Sequence, residues 1–402
     1  MSAVGVALLL AAALTTPSPA RADAPSGAVA AGPEHTCALL TAGSPTCWGR
    51  GTDGRLGHGT TDGIADGIGP ALRRAGSIDL GARVLAVAVG DAHSCALLGR
   101  GAVRCWGDDA QGQLGYASSR NVGDGVGPSP ATAPNVPLEG AAVAIAAGGD
   151  AACALLDGGA VTCWGAALSP HAIALPTRAV AVATGGDRSC AALRDGAVEC
   201  WGAASPQAVR LSGAALRVAV GAERSCALLD GGAVECWGAD GTAGAVALGQ
   251  PATDVALGGT QGCALLTDRT VSCWAGDAEP RATGVSAIAL SVGPRDVCTL
   301  TAANRPFCWG DGAYGKLGHG DVVSRTPDGK SVEARDTAVP TATMTFGGTS
   351  QTAATEAARR YADQTTTDGG FPWWIAVVGV LAAATLFAGG HLARRRLAGR
   401  PA

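Results

Sequence analysis

Apolar positions along this chain come in short bursts, each closed by glycine. Seven segments rich in Ala and Val read AVAAG, VAVG, IAAG, VATG, VAVG, VALG and LSVG. A second burst follows each within a few residues, built on Cys-Ala-Leu-Leu or a close variant, and a third centres on Cys-Trp. Alternating runs of about five residues between glycines predict strands, not helices. Two longer apolar runs stand apart, one at each end of the chain.

The third burst is tied to the second by cysteine spacing. The pairs Cys37/Cys47, Cys95/Cys105, Cys153/Cys163, Cys190/Cys200, Cys226/Cys236, Cys263/Cys273 and Cys298/Cys308 are each separated by ten residues and use all 14 cysteines. Behind the second cysteines stand Trp48, Trp106, Trp164, Trp201, Trp237, Trp274 and Trp309. A hairpin that sets Cys226 opposite Cys236 also sets Leu229 opposite Ala233, leaving Asp230-Gly231-Gly232 as the loop. The third loop place favours a positive φ, which glycine adopts without a Cβ penalty. That place holds Gly43, Gly101, Gly159, Gly196, Gly232, Arg269 and Asn304. Arg269 is the misfit and predicts a strained or different turn.

Opposed Cα atoms in such a pair lie about 4.5–5.5 Å apart, within the span of a disulfide. Seven disulfides are therefore expected, each worth roughly 2.5–3 kcal/mol by chain entropy. The alternative is reduced, buried cysteines acting as small hydrophobes. Zinc is disfavoured because no Cys-x-x-Cys or Cys/His spacing occurs. Side chains alternate along a strand, so each Trp points away from the face of its preceding cysteine. Bulky groups on both faces suit a blade held between two others.

Successive first cysteines are 58, 58, 37, 36, 37 and 35 residues apart. Strand repeats of that period predict an all-β, seven-bladed β-propeller over 23–335. With 4% aromatic and 15% charged residues, the core rests on small side chains plus one Trp per repeat. A net charge of −4 with no basic stripe argues against nucleic acid.

The ends predict membrane topology. Residues 4–14 and Ala20-Arg21-Ala22 read as a signal peptide over 1–22, although no Lys or Arg precedes the apolar run. No cysteine follows closely, so a lipoprotein anchor is not expected. Residues 336–370, rich in Thr and Ala, read as a flexible stalk. The uncharged run within 371–391 is long enough for a C-terminal transmembrane helix, flanked by Trp373 and Trp374. Arg394, Arg395 and Arg396 make 392–402 a basic cytoplasmic tail, with the propeller outside a single-pass cell-membrane anchor. Paired cysteines belong in that oxidising compartment.

The unit V-x-x-G-x-x-H-S-C-A-L-L…G-x-V-x-C-W-G-x-x-x-x-G-Q-L-G resembles the regulator of chromosome condensation repeat. It is clearest over Val87 to Gly115 and Cys298 to Gly320. The resemblance covers about 28–330 and implies a seven-bladed propeller, and the cysteine pairs look like those of secreted bacterial members. No segment matches the nucleotide-exchange loop of the eukaryotic founder, so no GTPase partner is expected. The Gly-x-Leu-Gly element survives at Gly54–Gly57, Gly112–Gly115 and Gly315–Gly318 alone, in repeats 1, 2 and 7. A closed ring makes those repeats one arc. The first strand, near Ala28 to Gly32, is expected to close it by completing the last repeat's sheet.

The arc carries the candidate binding rim: Asp53, Arg55, His58, Asp109, Gln111, Tyr116, Tyr314, Lys316 and His319. Loops on a rigid scaffold commonly carry binding. The recurrence of His58, Tyr116 and His319 at one repeat position also suits a packing or turn-capping role. No catalytic motif is found, and the loop GTTDGIADGIGP lacks EF-hand spacing, so neither an enzyme, a cofactor nor a metal is expected. The reading is an extracytoplasmic module that binds a protein or a glycan. An inhibitor of a secreted or cell-wall enzyme is the alternative and would show exposed aromatics on one face. A polysaccharide-active enzyme comes third and needs two carboxylates within about 10 Å in a pocket.

Overall fold

A computed structural model of the chain describes residues 29–41, 43–67, 76–202, 206–319 and 322–325. The signal, stalk and transmembrane expectations fall outside them, and among the described residues no helix is long and apolar enough to cross a membrane.

Seven antiparallel sheets form the blades of a β-propeller. Blade 1 is Val29–Ala31, His35–Thr41 and Ser44–Gly49, and blade 7 is Ala289–Val292, Asp296–Leu300 and Pro306–Gly310. Blades 3 to 6 add a fourth, outer strand; in blades 1, 2 and 7 single bridges from the long loops (Gly49 to Ile64, Gly107 to Val122, Gly310 to Arg325) take its place. The Ala/Val runs are the inner strands. Their second residue before the closing glycine is Ala30, Ala88, Ala146, Ala183, Ala219, Ala256 or Ser291, and these strands line an axial channel of about 930 Å³. Arg217 and Asp254 face each other in it at 4.0 Å.

All seven cysteine pairs are opposed and bonded, with Cα atoms 4.0–4.1 Å apart. The Leu229 N–H donates to Ala233 O, as the register requires. The third loop place has positive φ in every repeat, Arg269 (67°) and Asn304 (54°) included. Arg269 thus keeps the common turn and accepts the strain instead of changing it.

The two faces of each sheet are covered in a constant sense. Disulfides face the following blade: Cys37 Sγ lies 3.6 Å from Ser94 Oγ, and Cys190 Sγ lies 3.8 Å from Ser225 Oγ. Tryptophans face the preceding one: Trp48 Nε1 donates to Lys316 O at 2.8 Å and Trp164 Nε1 to Gln113 O at 3.0 Å. All seven tryptophans are buried on that face, at no more than 9% exposure.

Enclosure of the disulfides varies around the ring. Cys163, Cys200 and Cys273 are bonded to Cys153, Cys190 and Cys263 as expected. Yet Cys163 keeps 6% exposure, and Cys200 and Cys273 are only partly buried. Their counterparts Cys47, Cys105 and Cys308 are at 0%. The difference follows the repeat length. Blades 1, 2 and 7 fold a long loop back over the strand that carries the second cysteine, as the bridges at Gly49, Gly107 and Gly310 show. Blades 3, 4 and 6 have only an outer strand beside it, with residues such as Ala172, Gln207 and Arg281 open to solvent. Bulky groups thus cover both faces of each blade, as expected, and the cover is closest in the long repeats.

Ring closure differs from the expectation. Val29–Ala31 pairs with its own blade, Ala30 opposite Cys37, and does not enter the last sheet. Blade 7 instead packs side to side on blade 1, where the Ala31 N–H donates to Ser291 Oγ at 2.9 Å. The loop that leads from each inner strand to the next is short, so a strand finds its own sequence neighbour first.

Candidate functional site

Blades 7, 1 and 2 are contiguous, and their Gly-x-Leu-Gly turns interlock. A Cβ on Gly315 would lie 2.1 Å from Ala65 O in the long loop of blade 1, and one on Gly54 would lie 2.4 Å from Asp124 N in that of blade 2. The turns of blades 7 and 1 are thus pressed against the long loop of the following blade, while that of blade 2 lies against Trp164 of blade 3. This explains why the element and the long loops are lost together in the middle repeats.

The residue inside each turn goes inward. Arg55 is buried: Nη1 donates to Glu34 Oε2 at 2.6 Å and Asp91 O at 3.0 Å, and Nη2 to Asp53 Oδ2 at 2.9 Å. Lys316 is buried as well, its Nζ 3.0 Å from Asp296 Oδ1 and donating to Pro33 O at 3.0 Å. Gln113, which the rim reading omitted, sits likewise with Nε2 donating to Asp108 Oδ2 at 3.0 Å. These three hold blades together instead of meeting solvent.

His58, Tyr116 and His319 share one role. Their ring nitrogen or hydroxyl bonds the carbonyl of the second cysteine in the same blade: Cys47 O at 3.3 Å, Cys105 O at 2.8 Å and Cys308 O at 3.4 Å. Burial lowers the His58 imidazole and, with partial opposition from that bond, pushes the Tyr116 hydroxyl up to about 12. All three cap the outer edge of the third strand at its middle, the place that a fourth strand pairs in blades 3 to 6. No such ring stands over Cys163, Cys200 or Cys273, whose repeats lack the long loop.

What remains at the surface is a smaller set. Tyr314 is 43% exposed, with φ 59°, and Asp53 holds the same turn place in blade 1 with φ 63°. Side chains other than glycine rarely occupy this region, and such outliers concentrate at working sites. The Arg50 guanidinium sits 5.1 Å from the Tyr314 ring centroid, within cation–π range. Arg50 also donates to Glu34 Oε1 at 2.7 Å, so Tyr314, Arg50, Glu34, Arg55 and Asp53 form one connected line across the seam. Arg50 and Glu34 escaped the sequence reading; for Arg50 the available signal was the charged residue that follows Cys-Trp-Gly in repeats 1, 2 and 7 alone, at Arg50, Asp108 and Asp311.

Asp109 and Gln111 line a separate groove of about 360 Å³ with Tyr116, Ser118 and Leu168. Asp109 is its one acidic lining residue. Oδ1 accepts from the Leu114 N–H at 3.0 Å while Oδ2 has no donor, and burial pushes this carboxyl up to about 6. Two facing carboxylates are not among its lining residues. No group of three or more potential metal ligands occurs among the described residues.

The sequence model of the regulator of chromosome condensation (RCC1) repeat matches residues 84–113, which run from the inner strand of blade 2 into its Gly-x-Leu-Gly turn. Blade 2 thus carries an RCC1 repeat. The mitochondrial RCC1 domain-containing protein RUG3 of Arabidopsis thaliana is 33% identical over 160 residues, 38% of this chain and 32% of that protein. The ultraviolet-B receptor UVR8 of the same plant is 34% identical over 110 residues, 26% and 24% of the two chains. The chain thus spans about a third or less of these curated relatives. Among solved structures, Prp20p of Saccharomyces cerevisiae aligns with a TM-score of 0.57 at 17% identity, covering 82% of this chain and 95% of that one. The ectodomain of the Arabidopsis thaliana receptor kinase ACR4 aligns with a TM-score of 0.52 at 21% identity, covering 71% and 96%. Both show the fold. RCC1-type propellers are binding or exchange-factor modules in general, and the arc of blades 7, 1 and 2 is where this propeller keeps the Gly-x-Leu-Gly element of the repeat.

Proposed function

We propose that this RCC1 propeller is a protein-binding module held outside the cell membrane by its C-terminal anchor, and that it binds through the seam of blades 7 and 1. The observation that carries the reading is Tyr314: a tyrosine on a left-handed turn, 43% exposed and stacked by Arg50. Tyrosine and arginine are the side chains that interface hot spots favour, and this pair is pre-positioned on a rigid scaffold. Seven disulfides support the oxidising compartment. The apolar run of 371–391 and the arginines after it support the anchor and its orientation.

A protein ligand is favoured over a glycan because the exposed line carries one aromatic ring and alternating charges, a surface suited to side-chain contacts. Inhibition of a secreted enzyme would be one form of such binding. The test is cross-linking on intact cells that make the full-length chain, followed by identification of captured proteins. The Tyr314→Ala variant should lose a specific partner while keeping its melting temperature. Equal capture by the variant would remove the seam from the reading, and capture after exchange of the loop His58 to Pro70 for a short turn tests the neighbouring loop separately.

A further inference from the structure

The same seam buries a second group of charges that the exposed line does not use. Lys316 Nζ lies 3.0 Å from Asp296 Oδ1 and 3.5 Å from Asp311 Oδ2. The side chains of Lys316 and Asp296 are 2% and 0% exposed, while that of Asp311 is 25% exposed. Neither Asp296 oxygen has an aligned hydrogen-bond donor. The contact is thus one of proximity between an amine and a carboxyl group, not a well-formed ionic hydrogen bond. Removing two charges from water costs several kcal/mol each, which their attraction offsets only with good hydrogen bonding. In blades 1 and 2 the position of Asp296 is held by His35 and His93, so the lysine–aspartate pairing is particular to the closing blade.

We propose that Lys316 Nζ and Asp296 Cγ join in an intramolecular isopeptide bond, formed as blade 7 folds, with Asp311 as the proton carrier. Shifting one proton from the ammonium to the Asp296 carboxylate leaves both groups neutral, the state a dry site favours. Burial acts in that direction on Asp296, raising its carboxyl against the pull of Lys316. At Lys316 burial is outweighed by Asp296 and Asp311, which hold its ammonium above the ordinary value, so the neutral pair is reached by proton transfer and is not the resting state. The Nζ lone pair then adds to Cγ. The Asp311 carboxylate takes the Nζ proton and returns it to the departing hydroxyl, the C–O bond breaks and water leaves. An ammonium and a carboxylate become an amide and one water, with no oxidant or co-reactant. Partial exposure of Asp311 gives the proton, and the water, a path to solvent.

The bond would sit where the ring closes without a shared strand. The Lys316 carbonyl accepts from Trp48 Nε1 and from Thr36 Oγ1 at 3.0 Å, both in blade 1. Fixing Lys316 to the strand Asp296–Leu300 therefore ties the turn that grips blade 1 to the body of blade 7.

The experiment is the intact mass of the full-length protein, followed by trypsin digestion after reduction and alkylation. The expected mass is one water below that of the chain with seven disulfides. Trypsin leaves Arg305–Pro306 uncut, so the digest should contain one looped peptide that runs from Asp296 through an uncut Lys316 to Arg325, one water lighter than its linear form. Reduction and alkylation open the Cys298–Cys308 loop within that peptide, so any loop that survives is the amide. Full mass with cleavage after Lys316 overturns the proposal on the wild-type protein alone. Lys316→Arg should restore the missing water, and a water loss that persists in it also overturns the proposal. Asp311→Asn should leave the bond unformed or slow its formation at least tenfold; full bonding there overturns the assignment of the proton carrier.

Discussion

The interlock of the long-repeat arc rests on glycines that differ in one respect, and a matched pair of substitutions separates the effects. Gly59 has φ 76° and Gly315 has φ 72°, so alanine at either is forced into the left-handed region. That costs roughly 1–2 kcal/mol, partly offset by about 0.5–1 kcal/mol because alanine is less free than glycine when unfolded. At Gly59 a Cβ meets nothing within 4 Å, so the strain is the whole cost, about 1 kcal/mol. At Gly315 the Cβ would stand 2.1 Å from Ala65 O and 2.4 Å from Ala65 C, both backbone. No side chain can swing away, and overpacking of this kind adds about 1–3 kcal/mol or more. At roughly 2–4 °C per kcal/mol for a large domain, Gly315→Ala should melt about 2–12 °C below Gly59→Ala. The assay is calorimetry of both proteins without reductant. Equal midpoints would mean that the two long loops do not press on each other, and the account of why the turn and the loops are lost together would fall.

Other outcomes follow from the described geometry. His93 is fully buried, and burial, then the Arg55 charge, lowers its imidazole to about 4 from 6.5. The unfolded chain binds that proton near 6.5 and the native one only near 4, so stability is complete above the first value and lost as pH falls toward the second; the loss is about 3 kcal/mol. Urea midpoints across that range should show the slope, and His93→Gln should flatten it. Asp109 behaves in the opposite sense: its carboxyl is raised to about 6 from 3.8, so the contribution of its protonated form is present below 3.8 and lost as pH rises through 6. Asp109→Asn should accordingly raise the melting temperature at pH 8 and change it little at pH 3.5. Replacing Cys226 and Cys236 with serine should cost about 2.5–3 kcal/mol, read from denaturant midpoints under non-reducing conditions. Under mild reductant the bonds at Cys200 and Cys273, which are partly open to solvent, should be alkylated before that at Cys105, which is fully covered; peptide mapping of a time course reads the order.

Much of the blade was legible because its signals are local. Ten-residue cysteine spacing sets the hairpin register, and the same register requires a positive φ at the third loop place, which Arg269 meets at 67°. Alternation put Cys and Trp on opposite faces. It could not say how far each would be covered, and Cys163, Cys200 and Cys273 stay more open because coverage depends on a loop outside the hairpin. The rim was less legible, since Arg55 and Lys316 lie in polar loops, where long charged side chains are usually solvated. Their burial comes from the neighbouring blade, which no window of sequence contains. The caps made by His58, Tyr116 and His319 were within reach, because three equivalent places with one polar ring each pointed to a repeated structural need. Closure was misjudged for a further reason: nothing in the Ala/Val run says which of two adjacent strands it will pair with, and the short connection to His35–Thr41 decides it.

Because the strand Val29–Ala31 stays in its own sheet, every blade of this propeller is a complete, consecutive piece of chain. The covalent order can then be rotated around the ring without cutting any sheet. Joining the ends of the ring and opening it between blades 4 and 5 would leave all seven ladders and all seven disulfides within unbroken segments. By the same logic a gene that gains or loses one repeat among the short blades adds or removes a self-contained wedge. The number of blades is therefore free to drift on the plain side of the ring, while the interlocked arc of blades 7, 1 and 2 is inherited as a block.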